Sequence, residues 1–365
     1  MSLRNIFIIL KREVKTYFSS PIAYIVMTLF LLLTGWFFFS TFFLAGRADM
    51  RDFFNLLPVV FTFIIPALTM RLFAEEYRSG SFEISATLPV NLMDIIGGKF
   101  LAALFYTVVM LAPTLIYPLF IGILGDLDAG PVIGGYAGAV LLAGAYSSIG
   151  ILASSLTRNQ VIAFLVSAAG CFFLTIISSI LIFLPAFLTG FFQYLGAVFH
   201  FNNIAKGVID SRDLIYFISV MIIALGSTFF VIKDRSRSIK LNFALYFTVL
   251  ILVNIVSGTL FFRLDLTANK KYSLSGASIS AVSTIEEPLT IKAFFSENLP
   301  GSYNNLRREI CDLMEEYALA GNKNFNYSVY NINKEGTSTD ERGRNLKELA
   351  EDYSIFPVQI QTIES

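Results

Sequence analysis

The chain has 365 residues, 55% of them hydrophobic and 15% charged, with 37 Phe and a formal net charge of zero. A soluble domain carries about a quarter charged residues, so this composition excludes an ordinary soluble globule; 27 basic against 27 acidic residues says nothing by itself about nucleic acid, which is not among the expected partners. Two cysteines, Cys171 in an apolar run and Cys311 in a polar one, exclude a disulfide framework and a cysteine-built metal cluster.

Residues 1–265 hold 17 Lys/Arg and 13 Asp/Glu, and the last hundred hold 10 and 14. A charge-poor first part is therefore followed by a water-compatible second part. The opening, MSLRNIFIILKREVKTYF, lacks the order of charges and the small-residue cleavage site of a signal peptide. Leu3, Ile6, Phe7, Leu10, Val14 and Phe18 recur at helical spacing, with Arg4, Lys11, Arg12 and Lys15 on the other faces. The pattern predicts a basic amphipathic helix over 1–20 lying along the membrane surface. A plain helical lead-in to the first span is the simpler alternative.

A bilayer core takes about 20 apolar residues as a helix. Seven stretches qualify, at about 22–45, 53–70, 100–123, 132–156, 161–184, 214–232 and 241–262. An eighth, 185–205, is apolar and aromatic but broken by Pro185 and Gly190. With seven spans and an internal N-terminus, the cytoplasmic segments carry twelve Lys/Arg, and the short external loops carry only Arg47, Arg51, Lys206 and Arg212. An eighth crossing would place KDRSRSIK (233–240) outside and erase that bias, against the positive-inside rule. Residues 185–210 are therefore read as a re-entrant or interfacial pair of short helices, and the chain after the last span as lying outside.

The longest cytoplasmic segment between spans is 71–99, RLFAEEYRSGSFEISATLPVNLMDIIGGK. AEEYR continues the second span into water as a short helix, Ser79-Gly80 and Leu88-Pro89 interrupt the chain, and Asn91 caps the next helix. Such a charged helix can pass force from a docked partner to two spans. An ordinary solvated loop fits the same residues.

AEEYRSGSFEISATLPV resembles the cytoplasmic stretch of type-2 ABC exporter permeases. GILASSLTRNQVIAF (150–164) is similar to that family's turn between spans four and five. FHFNNIAKGVIDSRDLIYF (199–217) resembles the outer loop of its gliding-motility branch. The resemblance covers 1–235 and implies a six-span permease domain over 21–235, with a coupling loop at 71–99 that contacts a separate cytoplasmic ATPase. Glu75, Glu76, Arg78, Gly80 and Glu83 are the matching positions. It also implies a second permease copy, most simply as a homodimer, in the bacterial inner membrane. The chain itself then needs no cofactor, because the partner subunit binds the ATP.

A seventh helix over 236–265 leads into a tail, 266–365. Residues 276–286 read as a helix, PLTIKAFFS (288–296) as a strand, 302–320 as a helix with a Leu306, Ile310, Leu313, Met314, Tyr317 stripe, and FNYSVYNI (325–332) as a strand. Strand, helix and strand in this order predict a parallel α/β domain. DLTANKKYSLS resembles the start of the auxiliary gliding-motility transport component, which makes the tail a partial, truncated extracytoplasmic domain fused to the permease. The fold expected is thus an α-helical polytopic membrane protein carrying an α/β lobe.

No G-x-x-x-x-G-K-[ST] loop occurs, and GGKF (97–100) lacks its spacing and hydroxyl. One histidine, His200, builds no zinc site of the usual kind, so an enzyme is not expected. The spans are nearly free of ionisable residues, whereas ion-driven carriers bury them, so energy is expected to enter from outside the membrane. Two function classes remain: a transporter subunit driven by an ATPase, and an anchor that positions the outer lobe in an envelope machine.

Overall fold

The structure, a computed structural model, describes residues 2–45, 49–87, 89–180, 186–233, 237–257, 262–268, 270, 272–295, 304–321, 324–331 and 346–356. The chain divides into two compact units, residues 1–178 with 194–269, and residues 179–193 with 270–365.

The first unit begins with α1 (Leu3–Phe18), and Pro21 then opens α2 (Pro21–Ala45). Proline suits that position because the first N–H groups of a helix have no helical acceptor. α3 (Arg51–Thr69) contains Pro58 and Pro66, and after a one-residue turn at Met70 the chain continues as α4 (Arg71–Ser79). Gly80 stops α4 with a left-handed φ of 75°, and α5 (Ser81–Ala86) follows. α6 (Leu92–Leu111) passes through a 3-10 turn at Ala112–Leu115, beside Pro113, into α7 (Ile116–Leu124). α8 (Ala129–Ser155) is capped by Asp128, whose carboxylate accepts from the Gly130 amide at 3.0 Å. α9 (Gln160–Ile180) comes next; α10 (Ala186–Leu195) follows in the chain but falls largely within the second unit, and α11 (Ala197–Ala205) returns to the first. β1 (Val208–Asp210), α12 (Ser211–Ile232), α13 (Arg237–Ser257) and β2 (Arg263–Asp265) complete the sequence of elements.

Six helices among the described residues are long and apolar enough to cross a membrane: Pro21–Ser40, Arg51–Ser79, Leu92–Leu124, Ala129–Ser155, Gln160–Ile180 and Ser211–Ile232. This is the composition of a membrane protein. The seventh apolar stretch is helical as α13 to Ser257, and residues 258–261 lie outside the described residues. Within 185–210 the structure has the short helices α10 and α11 separated by Gly196, while Pro185 lies outside the described residues.

α8 is the axis of the bundle. It packs against α3, α6, α11 and α12, and 72% of its apolar stretch is buried, against 28% for α2 and α9. Its glycine, alanine and serine content explains this, since small side chains let helices approach closely where lipid supplies no hydrophobic drive. α2 and α9 instead present Leu29, Leu32, Trp36, Val161, Leu165 and Phe173 outward.

The two ends of the bundle differ. At one, β1 and β2 pair antiparallel with Ile209 opposite Leu264, so the start of α12 and the end of α13 lie side by side. Leu266 donates its amide to the Gly207 carbonyl at 2.9 Å, and the Ala268 amide reaches the Asp128 carboxylate at 3.1 Å. At the other end lie α1, α4, the start of α6 and the end of α8.

In the second unit α14 (Gly276–Ser283) starts at Ser275, whose hydroxyl accepts from the Ser278 amide. β3 (Leu289–Phe295) and β4 (Phe325–Asn331) pair parallel with Leu289 opposite Phe325, joined by α15 (Asn304–Ala320). This is the strand–helix–strand unit expected. α16 (Leu346–Asp352), which periodicity did not reveal, follows.

Candidate functional site

A buried polar constellation of the first unit sits where α1, α4 and α6 meet. Its centre is Lys99, on the second turn of α6, with a side chain only 1% exposed. An ammonium has three N–H donors and no acceptor capacity. The Lys99 Nζ places them on Glu13 Oε1 of α1 at 3.2 Å, Glu76 Oε1 of α4 at 2.8 Å and the Leu72 carbonyl at 2.8 Å. The Phe73 ring faces the same ammonium at 5.1 Å. Arg12, half exposed, bonds Glu13 at 2.8 Å and Glu76 at 3.2 Å from outside. Two carboxylates thus face two cations, and the buried lysine is fully satisfied. That is the condition under which a buried charge persists.

The backbone brings these groups together by close approach. Gly98 lies under α1, and a Cβ there would stand 2.6 Å from Ile9 Cγ2, so only glycine lets α1 settle onto α6 at that point. Ser2 donates its amide to Asp94 at 3.0 Å and Asn5 its side-chain amide at 3.3 Å, fixing the start of α1. Asn91 occupies the cap position of α6, but its side chain makes no capping bond, which corrects the expectation; its carbonyl accepts from Asp94 and Ile95 instead.

The packing face of α1 is also rotated from the stripe read in the sequence. Ile6, Glu13 and Tyr17 are buried, while Leu3 and Phe7 are 85% and 65% exposed. Pairing of Glu13 with Lys99 sets this rotation, and Tyr17 reinforces it by donating its hydroxyl to the Leu68 carbonyl at 3.1 Å.

At the α3–α4 joint, Ser154 of α8 bonds three backbone groups. Its hydroxyl donates to the Met70 carbonyl at 2.8 Å and accepts from the Phe73 and Ala74 amides at 3.0 Å each. The Phe73 amide belongs to the first turn of α4 and has no helical acceptor. One turn earlier, Gly150 leaves room for Thr69, whose Oγ1 would stand 1.9 Å from a Cβ there.

The five positions matched by the permease resemblance separate into two sets. Glu75, Arg78 and Gly80 are exposed on α4 and its stop, and Glu83 is exposed in the first turn of α5. Glu76 turns inward to Lys99. Lys99, Glu13, Arg12 and Ser154 were not among the site residues read from the sequence. A lysine inside IIGGKFLAALF and a single acid among four bases in the first helix were the available signals.

The spans are free of charge in their middles, but Asp94, Lys99 and Asp213 are buried near span ends, which amends the expectation of uncharged spans. Asp213 meets His200: Nδ1 lies 2.6 Å from the carboxylate and Nε2 2.8 Å from the Tyr194 carbonyl. A carbonyl only accepts, so Nε2 donates to it. Tyr216 stacks on the imidazole at 3.9 Å and donates to the Leu195 carbonyl at 2.7 Å. Both partners are fully buried, and the arrangement ties α11 to α12 as a structural element.

Residues 268–365 match the family described as Domain of unknown function (DUF7088). No curated protein and no solved structure matches the chain. The matched segment includes α14, β3, α15, β4 and α16.

Burial works against the charge of Glu13, but Lys99 and Arg12 outweigh it and hold the carboxyl below its ordinary value of 4.5. A depressed carboxyl contributes stability that is present above its unfolded value and lost as pH falls through its folded one. The melting temperature of detergent-solubilised protein is therefore expected to drop below about pH 4.5, with a shallower drop in Glu13→Gln. An identical acid profile for the two proteins would contradict the pairing.

Proposed function

We propose that this chain is the membrane-spanning permease subunit of an ATP-driven exporter, powered by a separate ATPase that docks on α4 and α5. One observation carries this reading. Glu75, Arg78 and Glu83 face outward on a short helix pair while Glu76 of the same helix is bonded into the bundle through Lys99 and Arg12. A partner held by the outer set would be mechanically connected to α1 and α6 through the inner one, and to α8 through Ser154. The resemblance of 71–90 to exporter permeases and the missing phosphate-binding loop support the same assignment. On this reading the cluster faces the cytoplasm of a bacterial inner membrane, the tail lies on the far side, two copies form one path, and the process is export in the gliding-motility or envelope class.

The test is co-purification of the full chain with an ATPase from its native membrane. Reversal of the outer set, Glu75→Lys with Glu83→Lys, is expected to lose the ATPase while the chain still folds. Retention of the ATPase by that variant, or failure of the unaltered chain to bring one down, removes the proposal.

A second reading, an anchor for the outer lobe, is favoured by the stitching of 262–268 to the bundle through the β1–β2 ribbon, Gly207 and Asp128. It predicts that envelope function survives loss of the docking charges.

A further inference from the structure

α1 has two faces with different fates. The inner face, with Ile6, Glu13 and Tyr17, is packed on the bundle. The outer face keeps Leu3, Phe7 and Ile8 exposed at 85%, 65% and 55%, together with exposed Arg4, Lys11 and Lys15. At 100° per residue, Arg4, Lys11 and Lys15 fall within one narrow stripe, with Leu3 and Phe7 along one border and Ile8 along the other. Arg12, the fourth base of the helix, is drawn inward to Glu13 and Glu76, whereas these three form no ion pair among the described residues.

An isolated exposed apolar residue needs no explanation. Three of them flanking a stripe of three uncommitted cations, on a helix that runs through Ser19 and Ser20 into the span-like α2, point to specific surroundings. Chain continuity keeps α1 at the border of the bilayer. The apolar side chains match the acyl boundary and the cations match phosphate oxygens of anionic headgroups.

We propose that the outward face of α1 is a binding site for anionic phospholipid, and that its occupation holds α1 against α6. Because Glu13 on the opposite face of the helix is bonded to Lys99, and Lys99 to Glu76, lipid bound on one side of α1 steadies α4 on the other. The arrangement makes the position of α4 sensitive to the charge of the surrounding leaflet. It stands on the membrane reading and does not require that α4 dock an ATPase.

The experiment uses the full chain in nanodiscs of phosphatidylcholine alone or mixed with phosphatidylglycerol, followed by amide hydrogen exchange. Phosphatidylglycerol is expected to slow exchange in α1 and in the first turn of α4, and added salt is expected to reverse this. Retention of phosphatidylglycerol through detergent purification should fall roughly fivefold for each charge removed along Arg4→Gln, Lys11→Gln and Lys15→Gln. Lys11→Arg with Lys15→Arg, which keeps charge, should bind as the unaltered chain does and guards against misfolding. Equal protection in the two lipids would overturn the site. So would a glutamine series that leaves lipid retention unchanged while releasing an acidic protein partner. Slowed exchange in α1 with none in α4 would overturn the linkage.

Discussion

Replacing Lys99 with methionine is expected to lower the apparent melting temperature of the solubilised chain by on the order of 5 °C or more, corresponding to about 3 kcal/mol. The substitution keeps the stem that crosses Phe73 and removes the ammonium. Glu13 and Glu76, with side chains only 10% and 17% exposed, then lose the cation between them, and the Leu72 carbonyl loses its donor. Breaking one side of a buried ion pair costs about 3–5 kcal/mol. The lower figure applies here because Arg12 still reaches both carboxylates. The triple variant Lys99→Met, Glu13→Gln, Glu76→Gln is expected to recover most of the loss, since no buried charge remains without a partner and the guanidinium of half-exposed Arg12 can be hydrated. Additive damage in the triple variant would show that the three side chains do not act as one unit.

Gly150→Ala is the second change with a large expected effect, about 2–3 kcal/mol, at the upper end of the usual range for overpacking. The new methyl would overlap Thr69 Oγ1 at 1.9 Å and crowd its Cβ at 2.8 Å. Thr69 has little freedom to yield, because its hydroxyl donates to the Ile65 carbonyl at 2.9 Å and its side chain is branched at Cβ. The strain falls on the joint that Ser154 holds, so α4 should shift as well as the bundle weaken. Thr69→Ala in the same chain is expected to restore part of the stability. Exchange at the Phe73 and Ala74 amides reports the joint directly: it should rise in Gly150→Ala and return toward normal in the pair. Unchanged exchange in the single variant would mean that α8 does not position α4.

Both predictions concern the end of the bundle where the exposed charges of α4 and α5 stand. The same helix, α8, carries Asp128 at its opposite end, where the Ala268 amide is held. A rigid helix of 27 residues therefore touches the proposed docking element at one end and the segment leading into the second unit at the other.

Much of the architecture was legible from residue order alone. Continuous apolar runs of bilayer length specify spanning helices wherever they are placed, because an unpaired backbone in hydrocarbon is too costly. Pro185 and Gly190 were read as the interruptions of the run 185–205, but α10 continues through Gly190 and the break between α10 and α11 falls at Gly196. PLTIKAFFS and FNYSVYNI carry the alternation of strands, and the intervening helix makes their pairing parallel. Gly80 announced the end of α4 because a left-handed residue is most easily glycine.

What the tertiary structure alone decided is where each charge goes. Glu75 and Glu76 are neighbours in sequence and equal in chemistry, yet one faces outward and the other meets a lysine 23 residues away. Glu13 and Lys99 are separated by 86 positions, and nothing local to either predicts the other. The three-residue strands β1 and β2 are too short to show a period, and they exist because the ends of α12 and α13 are brought together. Hydrophobic length is a property of a segment and can be read from it. Burial of an ion depends on whether distant parts of the chain deliver the opposite charge and the remaining hydrogen bonds to one point, and only the folded bundle answers that.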